Sequence, residues 1–422
     1  MTETRQQAER ARRAFLKLSA AADRTCILEK IADALQENAR PIFSANQRDL
    51  DQARDSVAPP LYKRLALNEP KLRDVLDGIR QIASMPDPVG RVVEETELDE
   101  ELILRKVQTP IGVIAAIFES RPDVVPQIAA LAIRTGNAVL LKGGREAGHT
   151  NETLGRVIRT TLEPYGLSDA IQMIDSREKV TELLAMDDVI SLVVPRGSNE
   201  MVRHIRQNTK IPVLGHAEGI CHIYVDEYAD PVKAARITVD SKAQYPAVCN
   251  AAEALLVHTA YKDLDGLARA LTEAHVELRG CPRAAARLGI RPAADSDFGR
   301  EFGDLILAVK IVDSVDDAIN HIHRYGSAHT DSIVTENAAV AERFLHEVDS
   351  AGVYWNASTR FADGFRYGFG AEVGVSTNRT HARGPVGVEG LLIYKYQLIG
   401  NGHIVATYVG ENARKFTHRR LR

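Results

Sequence analysis

The spacing of apolar and polar residues divides the chain into three stretches. In residues 1–90, apolar positions recur at helical spacing between Lys, Arg and Glu, most regularly from Ala14 to Leu35, and this pattern predicts helices. From Leu98 onwards, short continuous apolar runs alternate with segments of helical spacing. Strands that are buried on both faces give such runs, so this stretch predicts parallel sheets covered by helices. Residues 391–408, with Gly400-Asn401-Gly402 at their centre, predict a β-hairpin.

The apolar runs fall into two α/β units. A helix is predicted at residues 124–134 of the first unit, and the second unit runs from about residue 223 to 381 with helices at 314–323 and 338–348. We expect the hairpin predicted at residues 391–408 to add to a sheet edge that the run at residues 102–107 also forms. The predicted strands are residues 102–107, 112–118, 138–141, 170–174, 189–194 and 212–214 in the first unit, and 254–257, 305–310, 333–334 and 353–355 in the second.

Length and charge narrow the class of protein. A chain of 422 residues is too long for one ordinary core and predicts two domains or more. The net charge of −4 lacks the basic excess that a nucleic-acid partner requires. No apolar run approaches the roughly 18 residues of a membrane span, and Glu3 and Glu9, with no apolar segment behind them, argue against a targeting peptide. We therefore expect a cytosolic protein without nucleic-acid or membrane partners.

The spacing of cysteine and histidine residues gives no sign of a metal site. The four cysteines lie far apart and form no C-x-x-C pair, which supports neither a disulfide framework nor a zinc site. His321 and His323 are two apart on a predicted helix, so their side chains point in different directions. The sequence therefore predicts no bound metal.

Cys249 has the sequence context of a nucleophile. Pro246 starts a turn, and residues 250–254 have the composition to open a helix, whose N-terminus would stabilise a thiolate. The alternative is a small buried hydrophobe, which is the commoner role of a lone cysteine. Residue chemistry alone leaves both alternatives open.

The sequence around Cys249, Gln244-Tyr245-Pro246-Ala247-Val248-Cys249-Asn250-Ala251-Ala252-Glu253, resembles the active-site segment of the γ-glutamyl phosphate reductases. That family, also called the glutamate-5-semialdehyde dehydrogenases, belongs to the aldehyde dehydrogenase superfamily. The chain departs from it at Tyr245, where a basic residue is expected, at residues 216–218, and at Arg145, where Ser is frequent. Further similar blocks keep the family's order from about residue 12 to 408, at residues 110–114, 119–122, 136–144, 195–198, 221–226, 325–331, 348–351, 356–364 and 381–385.

The resemblance implies an aldehyde-dehydrogenase-like α/β fold, with two three-layer α/β domains that have open sheets and a small β extension for oligomerisation. Residues 1–240 would form the NADP(H)-binding domain, with about 95–108 contributing to the extension. Residues 241–388 would form the catalytic domain, and residues 389–422 the C-terminal β extension and tail.

The implied reaction is the NADPH-dependent reduction of γ-glutamyl phosphate to glutamate 5-semialdehyde and phosphate, the second step of proline biosynthesis from glutamate. Cys249 would carry the acyl group as a thioester. Hydrolytic relatives have a Glu that activates water against the thioester, and the stretch 214–219 has none at the matching place, with Glu218 as the nearest substitute. Two alternatives remain: an acylating aldehyde dehydrogenase that uses coenzyme A, and a catalytically inactive scaffold that holds a glutamate 5-kinase.

The resemblance also assigns site residues. Arg121 would bind the acyl phosphate, because a guanidinium pairs bidentately with phosphate oxygens; the alternative is a surface ion pair. The backbone N–H of Cys249 would stabilise the oxyanion. The polar residues of the loop after residue 355 would bind the substrate. Their alternative role is to form hydrogen bonds with the backbone of their own loop. The catalytic residues would be Cys249, Arg121 and Asn250, and the substrate ligands Ser120, Arg121, His222, His329, Asn356, Ser358, Thr359 and Arg360.

No G-x-G-x-x-G fingerprint is present, so the implied NADP(H) site follows the superfamily pattern. Lys142 and Arg145 would bind the ribose and its 2′-phosphate, and Glu301 would lie near the nicotinamide ribose. The turn at Arg196, Gly197 and Ser198 would present backbone N–H groups to the pyrophosphate. The expected partners are γ-glutamyl phosphate, a transiently bound and separate glutamate 5-kinase, and further copies of the chain in a homo-oligomer.

Overall fold

A computed structural model describes residues 2–20, 23–57, 59–216 and 218–422, apart from the side chains of Pro59, Pro60 and Arg177. The described helices are α1 Glu3–Ser19, α2 Arg24–Glu37, α3 Ala39–Ala53, α4 Pro59–Leu65, α5 Glu69–Ser84, α6 Val124–Thr135, α7 Gly148–Leu162, α8 Arg177–Leu184, α9 Asn199–Gln207, α10 Pro231–Ala243, α11 Leu264–Glu273, α12 Pro282–Leu288, α13 Val315–Tyr325 and α14 Ala338–Glu347.

The strands follow the same chain order. They are β1 Val92–Asp99, β2 Leu102–Pro110, β3 Val113–Phe118, β4 Ala138–Lys142, β5 Ile171–Met173, β6 Leu192–Arg196, β7 Cys221–Val225, β8 Ala252–His258, β9 Glu277–Gly280, β10 Arg291–Pro292, β11 Ile306–Val312, β12 Thr330–Val334, β13 Gly352–Trp355, β14 Val375–Ser376, β15 Gly384–Pro385, β16 Leu392–Ile399 and β17 Arg419–Arg420.

The first α/β unit is built on a parallel sheet of order β5-β4-β3-β6. All six residues of β3 are buried, as expected for a strand that is covered on both faces. Helices α1, α2, α5 and α6 pack with this sheet in one continuous apolar core. Helix α6 ends at Gly136, whose left-handed φ of 71° closes the last turn. These elements hold the carboxyl ends of β3, β4 and β6 at one edge of the sheet.

The second unit is a seven-stranded parallel sheet of order β10-β9-β11-β8-β7-β12-β13. The predicted domain boundary at residue 240 is wrong for this sheet, because β7 and α10 precede that boundary and belong to the second unit. Strand β7 pairs with β8 and β12, and α10 packs against α11 and β8. The change of unit therefore falls between the isolated bridge at Val213 in the first unit and Cys221.

The extension is an antiparallel sheet of order β16-β2-β1-β17. The prediction that the C-terminal segment pairs with the edge at 102–107 is confirmed, since β16 and β2 are in register from Leu392↔Pro110 to Ile399↔Ile103. The predicted hairpin is wrong in its second arm. After Gly402 the chain forms a 3₁₀ turn, Val405–Tyr408, and the Tyr408 hydroxyl donates to Asp99 at 2.8 Å.

Most predicted strands and helices are present with shifted ends. The run at 189–194 becomes a strand only from Leu192, and the run at 212–214 makes a single bridge, Val193↔Val213. Among the described residues, no helix is both long enough and apolar enough to cross a bilayer.

Candidate active site

A cavity of about 670 Å³ lies where the two α/β units meet. The first unit contributes the carboxyl ends of β3 and β6 and the turn after β6, and the second contributes the segment before β8 and the loop after β13. Ligands of open α/β sheets bind at the carboxyl ends of their strands. We therefore expect the predicted reaction to take place in this cavity.

Cys249 lies in the wall of this cavity, half-buried, in a turn between α10 and β8. The predicted helix after Cys249 is wrong, because the chain continues into strand β8 at Ala252. The turn is held tightly: the Cys221 thiol donates to the Cys249 carbonyl at 3.3 Å, and a Cβ on Gly219 would lie 2.1 Å from that carbonyl oxygen. Only glycine fits at 219 without displacing Cys249.

Two imidazoles, rather than a helix N-terminus, polarise the Cys249 thiol. One ligand-capable atom each of His216, Cys249 and His329 lies within 4.8 Å of the others. Burial raises the pKa of the Cys249 thiol, but the charges of His216 and His329 outweigh it and hold that pKa well below its usual value. Burial lowers the pKa of His216, while the neighbouring thiolate raises it, to about 9 overall. The interaction between the two side chains therefore favours a thiolate–imidazolium pair.

Hydrogen bonds fix the orientation of both imidazoles. His216 Nδ1 lies 2.8 Å from the Val375 carbonyl oxygen, which leaves Nε2 for the thiol. His329 is fully buried, and its Nδ1 lies 2.9 Å from the Thr330 hydroxyl. His329 Nε2 is buried without a hydrogen-bond partner among the described residues. His329 was predicted as a substrate ligand, and the structure places it behind Cys249 instead.

Among the described residues, five arginines line the cavity around Cys249, and Arg121, Arg196 and Arg360 are three of them. Arg121 is half-buried, and its guanidinium makes no hydrogen bond or ion pair with another described residue. Arg196 donates to the Glu372 carbonyl at 2.9 Å and lies 3.7 Å from its carboxylate. Arg360 is buried and donates to the Gln244 and Asn250 side-chain oxygens. Such a set, with one unpartnered guanidinium, suits a phosphate group.

Arg196 was predicted as a cofactor ligand, and the structure turns its side chain towards Cys249 and Arg121. Charge from both of these side chains acts on Arg196. The next two residues of the turn do line the cavity, and the Ser198 hydroxyl caps α9. The Ser198 N–H, predicted to meet a pyrophosphate, donates to the Glu119 carboxylate at 2.7 Å. Glu119 must therefore move before this N–H can bind an anion.

Of the other predicted cofactor residues, two lie at the carboxyl end of β4 in the first unit, and one lies in the cavity wall that the second unit contributes. Lys142 is the last residue of β4, next to β3, and its ammonium group donates to the Gly143 carbonyl at 2.6 Å. Arg145 is exposed in the 3₁₀ turn that follows. Glu301 lines the cavity from the second unit and accepts a hydrogen bond from the Gly219 N–H at 3.0 Å.

Several predicted substrate ligands lie away from the cavity, and those predictions are revised. Ser120 has a left-handed φ of 43°, and its N–H and hydroxyl both donate to Glu146 at 2.7 Å, so it shapes the turn that presents Arg121. His222 is fully buried and bonded to Asp331 at 2.8 Å.

Arg360 of the loop after β13 lines the cavity, whereas the predicted ligands Asn356, Ser358 and Thr359 of that loop support the site from outside the lining. Asn356 hydrogen-bonds the backbone of Thr335, which follows β12 and lies outside the loop of Asn356. Ser358 accepts a hydrogen bond from the Arg360 N–H, and the Thr359 hydroxyl donates to the Asn250 carbonyl at 2.7 Å. Asn250 donates to the Ala362 carbonyl at 2.8 Å, and although it lines the cavity it supports Arg360 and the turn at Cys249.

The sequence did not identify three residues of the site as functional groups. They are His216, Glu119 and Glu372, all of which line the cavity. His216 was noted only as a departure from the family pattern, and that departure was the available signal. The substitute base Glu218 forms an ion pair with Arg203. It is therefore not free to activate water beside the thiol.

Comparison with known proteins shows the family to which the chain belongs. The model of the aldehyde dehydrogenase family matches residues 1–284, which is more than half of the chain. The chain belongs to the aldehyde dehydrogenase family. As a member of that family it is an oxidoreductase with the predicted α/β fold, and both predictions are confirmed.

The similar members of the aldehyde dehydrogenase family include γ-glutamyl phosphate reductases. The chain is 52% identical over 397 residues to that of Trichodesmium erythraeum (strain IMS101), covering 93% of this chain and 92% of the relative. It is 51% identical to γ-glutamyl phosphate reductase 1 of Synechocystis sp., covering 97% and 96%. The crystal structure of γ-glutamyl phosphate reductase from Thermotoga maritima superposes with a TM-score of 0.92 at 38% identity, covering 96% of this chain and all of the other.

Proposed function

We propose that the chain reduces γ-glutamyl phosphate to glutamate 5-semialdehyde and phosphate with NADPH, the second step of proline biosynthesis from glutamate. The observation that carries the proposal is the convergence of the Cys249 thiol and the guanidinium groups of Arg121, Arg196 and Arg360 on one cavity. An acyl phosphate needs a nucleophile for its carbon and cations for its leaving group. Relatives about half identical over nearly the whole chain carry the name of this reaction.

The first step is the attack of the Cys249 thiolate on the acyl carbon. A C–S bond forms, the bond between the acyl carbon and the phosphate oxygen breaks, and the electron pair of that bond leaves with phosphate. Arg121 and Arg196 stabilise the departing anion, and the Cys249 backbone N–H is the proposed donor to the tetrahedral oxyanion. The product of this step is a thioester on Cys249 and free phosphate.

NADPH, when bound, supplies the hydride that reduces the thioester carbon. The resulting thiohemiacetal oxyanion re-forms its carbonyl by expelling the Cys249 thiolate, which His216 and His329 stabilise again. Because Glu218 is paired with Arg203, it does not replace the Glu that activates water in the hydrolytic relatives. We expect the lack of that base to slow hydrolysis of the thioester while it awaits reduction.

The chain's residues fit a bound dinucleotide phosphate. Lys142 and the exposed Arg145 provide cations at the end of β4, and the N-terminus of α9 provides backbone N–H groups once Glu119 moves away. Glu301 stands on the facing wall, where a ribose hydroxyl can donate to it. Lys142 and Arg145 favour NADPH over NADH because they suit a 2′-phosphate.

An Arg145→Glu variant should shift cofactor use from NADPH towards NADH. The substitution replaces a cation that suits the 2′-phosphate with a repelling carboxylate, so we expect the KM for NADPH to rise about tenfold or more and that for NADH to change little. Initial rates with each cofactor measure the shift. Arg156→Glu, an exposed charge reversal on α7, is the matched control. Equal effects on the two cofactors would contradict the assignment.

An Arg121→Ala variant should lose kcat/KM for the acyl phosphate by about 10- to 100-fold, since a charge-assisted hydrogen bond contributes about 1.5–3 kcal/mol. In the oxidative direction the KM for phosphate should rise by a similar factor. Alkylation of Cys249 by iodoacetamide should keep its rate, because Arg121 is not among the causes that lower the pKa of that thiol. If Arg121 were only a surface ion-pair partner, the substitution would leave phosphate dependence unchanged.

The test of the proposed reaction is cofactor-dependent oxidation of glutamate 5-semialdehyde, which equilibrates with pyrroline-5-carboxylate, in the presence and absence of phosphate. We expect reduction of NADP⁺ to require phosphate, because only an acceptor releases the acyl group from Cys249. Activity that requires coenzyme A and ignores phosphate would replace the proposal with the acylating alternative. An inactive protein that still binds glutamate 5-kinase would favour the scaffold alternative.

Self-association, a transient complex with glutamate 5-kinase and a cytosolic location remain predictions. The β16 strand supports the first of them, because it is an edge strand that exposes Ile393, Tyr394, Tyr396, Leu398 and Ile399. Light scattering of the purified protein measures the size of the assembly, and a monomer at all concentrations would contradict it.

A further inference from the structure

The cluster of His216, Cys249 and His329 has the composition of a site for a thiophilic cation. Thiolate and imidazole are the ligands that Zn²⁺ prefers, whereas Mg²⁺ and Ca²⁺ prefer oxygen. The three candidate ligand atoms lie within 4.8 Å of one another. Bonds of about 2.3 Å to sulfur and about 2.0 Å to nitrogen require them to approach only on the order of an ångström further.

Both imidazoles are oriented as zinc ligands usually are. A ligating histidine commonly uses its second ring nitrogen in a hydrogen bond to a carbonyl or another polar group, which fixes the ring. His216 Nδ1 has this relation to the Val375 carbonyl at 2.8 Å, and His329 Nδ1 lies 2.9 Å from the Thr330 hydroxyl. Independently, His329 Nε2 is a fully buried nitrogen without a hydrogen-bond partner among the described residues.

The cavity leaves one coordination position open. Cys249 and His216 line the cavity, whereas His329 lies behind them. A tetrahedral ion held by these three side chains would direct its fourth position to the cavity, where water or a phosphate oxygen can bind. The donor set is thus that of an open zinc site.

We propose that His216, Cys249 and His329 form an inhibitory site for Zn²⁺, which coordinates the Cys249 sulfur and blocks it reversibly as a nucleophile. The binding needs no redox change: a coordinate bond forms between the thiolate and the ion, any proton on the cluster is released to solvent, and a chelator reverses the process. The site does not depend on the identity of the substrate. Its test therefore stands even where the proposed reaction fails.

Binding is measured on metal-free protein, with Zn²⁺ by calorimetry and with Cd²⁺ by the ultraviolet charge-transfer absorption of its thiolate bond. We expect one Zn²⁺ per chain and a thiolate–Cd²⁺ absorption that Cys249→Ser removes. His216→Gln and His329→Gln should each weaken Zn²⁺ binding at least about tenfold, since loss of even an outer-shell partner costs about 10- to 100-fold. Zn²⁺ should also protect Cys249 from iodoacetamide, with reversal by a chelator.

The controls are Cys26→Ser, which changes a half-exposed thiol elsewhere, and His149→Gln, which changes a half-exposed imidazole. Both should bind Zn²⁺ as the unmodified chain does. If the buried His329→Gln chain fails to fold, His216→Gln, at the cavity wall, carries the test. Zn²⁺ binding that survives Cys249→Ser or His216→Gln, or no stoichiometric binding at all, would overturn the proposal.

Discussion

A Cys249→Ser variant is expected to lose at least about 10⁴-fold in kcat/KM for the acyl phosphate, because removal of a covalent nucleophile leaves only binding and orientation. Serine differs from cysteine by one atom, but its hydroxyl is not ionised by two neighbouring imidazoles at neutral pH. The fold should persist, since the turn at Cys249 is held by its backbone through Cys221 and Gly219. Stopped-flow rates and thermal unfolding measure the two effects separately.

Acyl transfer to Cys249 can also be observed directly. In the absence of cofactor, the unmodified chain should gain the mass of one γ-glutamyl group when mixed with the acyl phosphate, and Cys249→Ser should not. Cys26→Ser is the matched control, because its half-exposed thiol lies outside the cavity lining, 4.0 Å from the Tyr165 hydroxyl. The assignment of Cys249 as the nucleophile would be wrong if the Cys249→Ser chain kept its activity, or if acylation were lost in Cys26→Ser instead of Cys249→Ser.

The sequence predicts the layered fold because burial on both faces of a strand is visible locally. The run at β3 is entirely apolar and entirely buried. Strand β7 was not predicted from its sequence, because His222 interrupts its apolar run. The structure satisfies that buried histidine with Asp331 from the adjacent strand β12. The boundary at residue 240, implied by the resemblance, falls after β7, although the apolar runs alone place the start of the second unit at about residue 223.

The prediction of a helix after Cys249 is wrong for a different reason. The segment 250–254 contains residues that favour helices, yet Ala252–His258 becomes a central strand between β7 and β11. Tertiary pairing on both edges outweighs helix propensity, which is less than about 1 kcal/mol per residue for ordinary residues. The nucleophile therefore sits in a turn, and its activation must come from elsewhere.

The family resemblance supplied candidate site residues one at a time, whereas the contacts between them depend on packing and were missed. Arg121 lines the cavity because a short turn after β3 fixes its direction, and its role as a phosphate ligand stays a prediction. His216 and His329 are remote from Cys249 in the chain, and only folding brings the three together. His329 precedes β12 in the same unit as Cys249, and His216 lies in the segment that joins the two units. Arg196 likewise turns away from the cofactor edge because Glu372 accepts its hydrogen bond.

A His216→Gln variant tests whether this packing activates the nucleophile. Removal of the imidazolium should raise the pKa of Cys249 towards its ordinary range, because the charge of His216 is one of the causes that lower it. We expect kcat/KM at pH 7 to fall on the order of 10- to 100-fold, since an opposite charge a few ångströms away strongly favours the ionised form. His329 remains and keeps the loss from being larger.

The pH dependence of Cys249 alkylation gives this variant a readout that a purely structural role would not move. In the unmodified chain the pKa of Cys249 lies well below its usual value, so the rate should be flat through neutral pH and fall only in acid. In His216→Gln the thiolate forms at higher pH, so the rate should rise through the neutral and alkaline range. Above about pH 9, where His216 itself loses its proton, the two rates should converge.

His149→Gln is the matched control, since it removes a half-exposed imidazole that contacts Gln52 and does not line the cavity. Its alkylation profile should superimpose on that of the unmodified chain. A His216→Gln profile that stays flat at neutral pH, or a loss of rate that alkaline pH does not restore, would show that His216 only supports the cavity wall. Recovery at high pH, in contrast, requires that the imidazolium acts through the ionisation of Cys249.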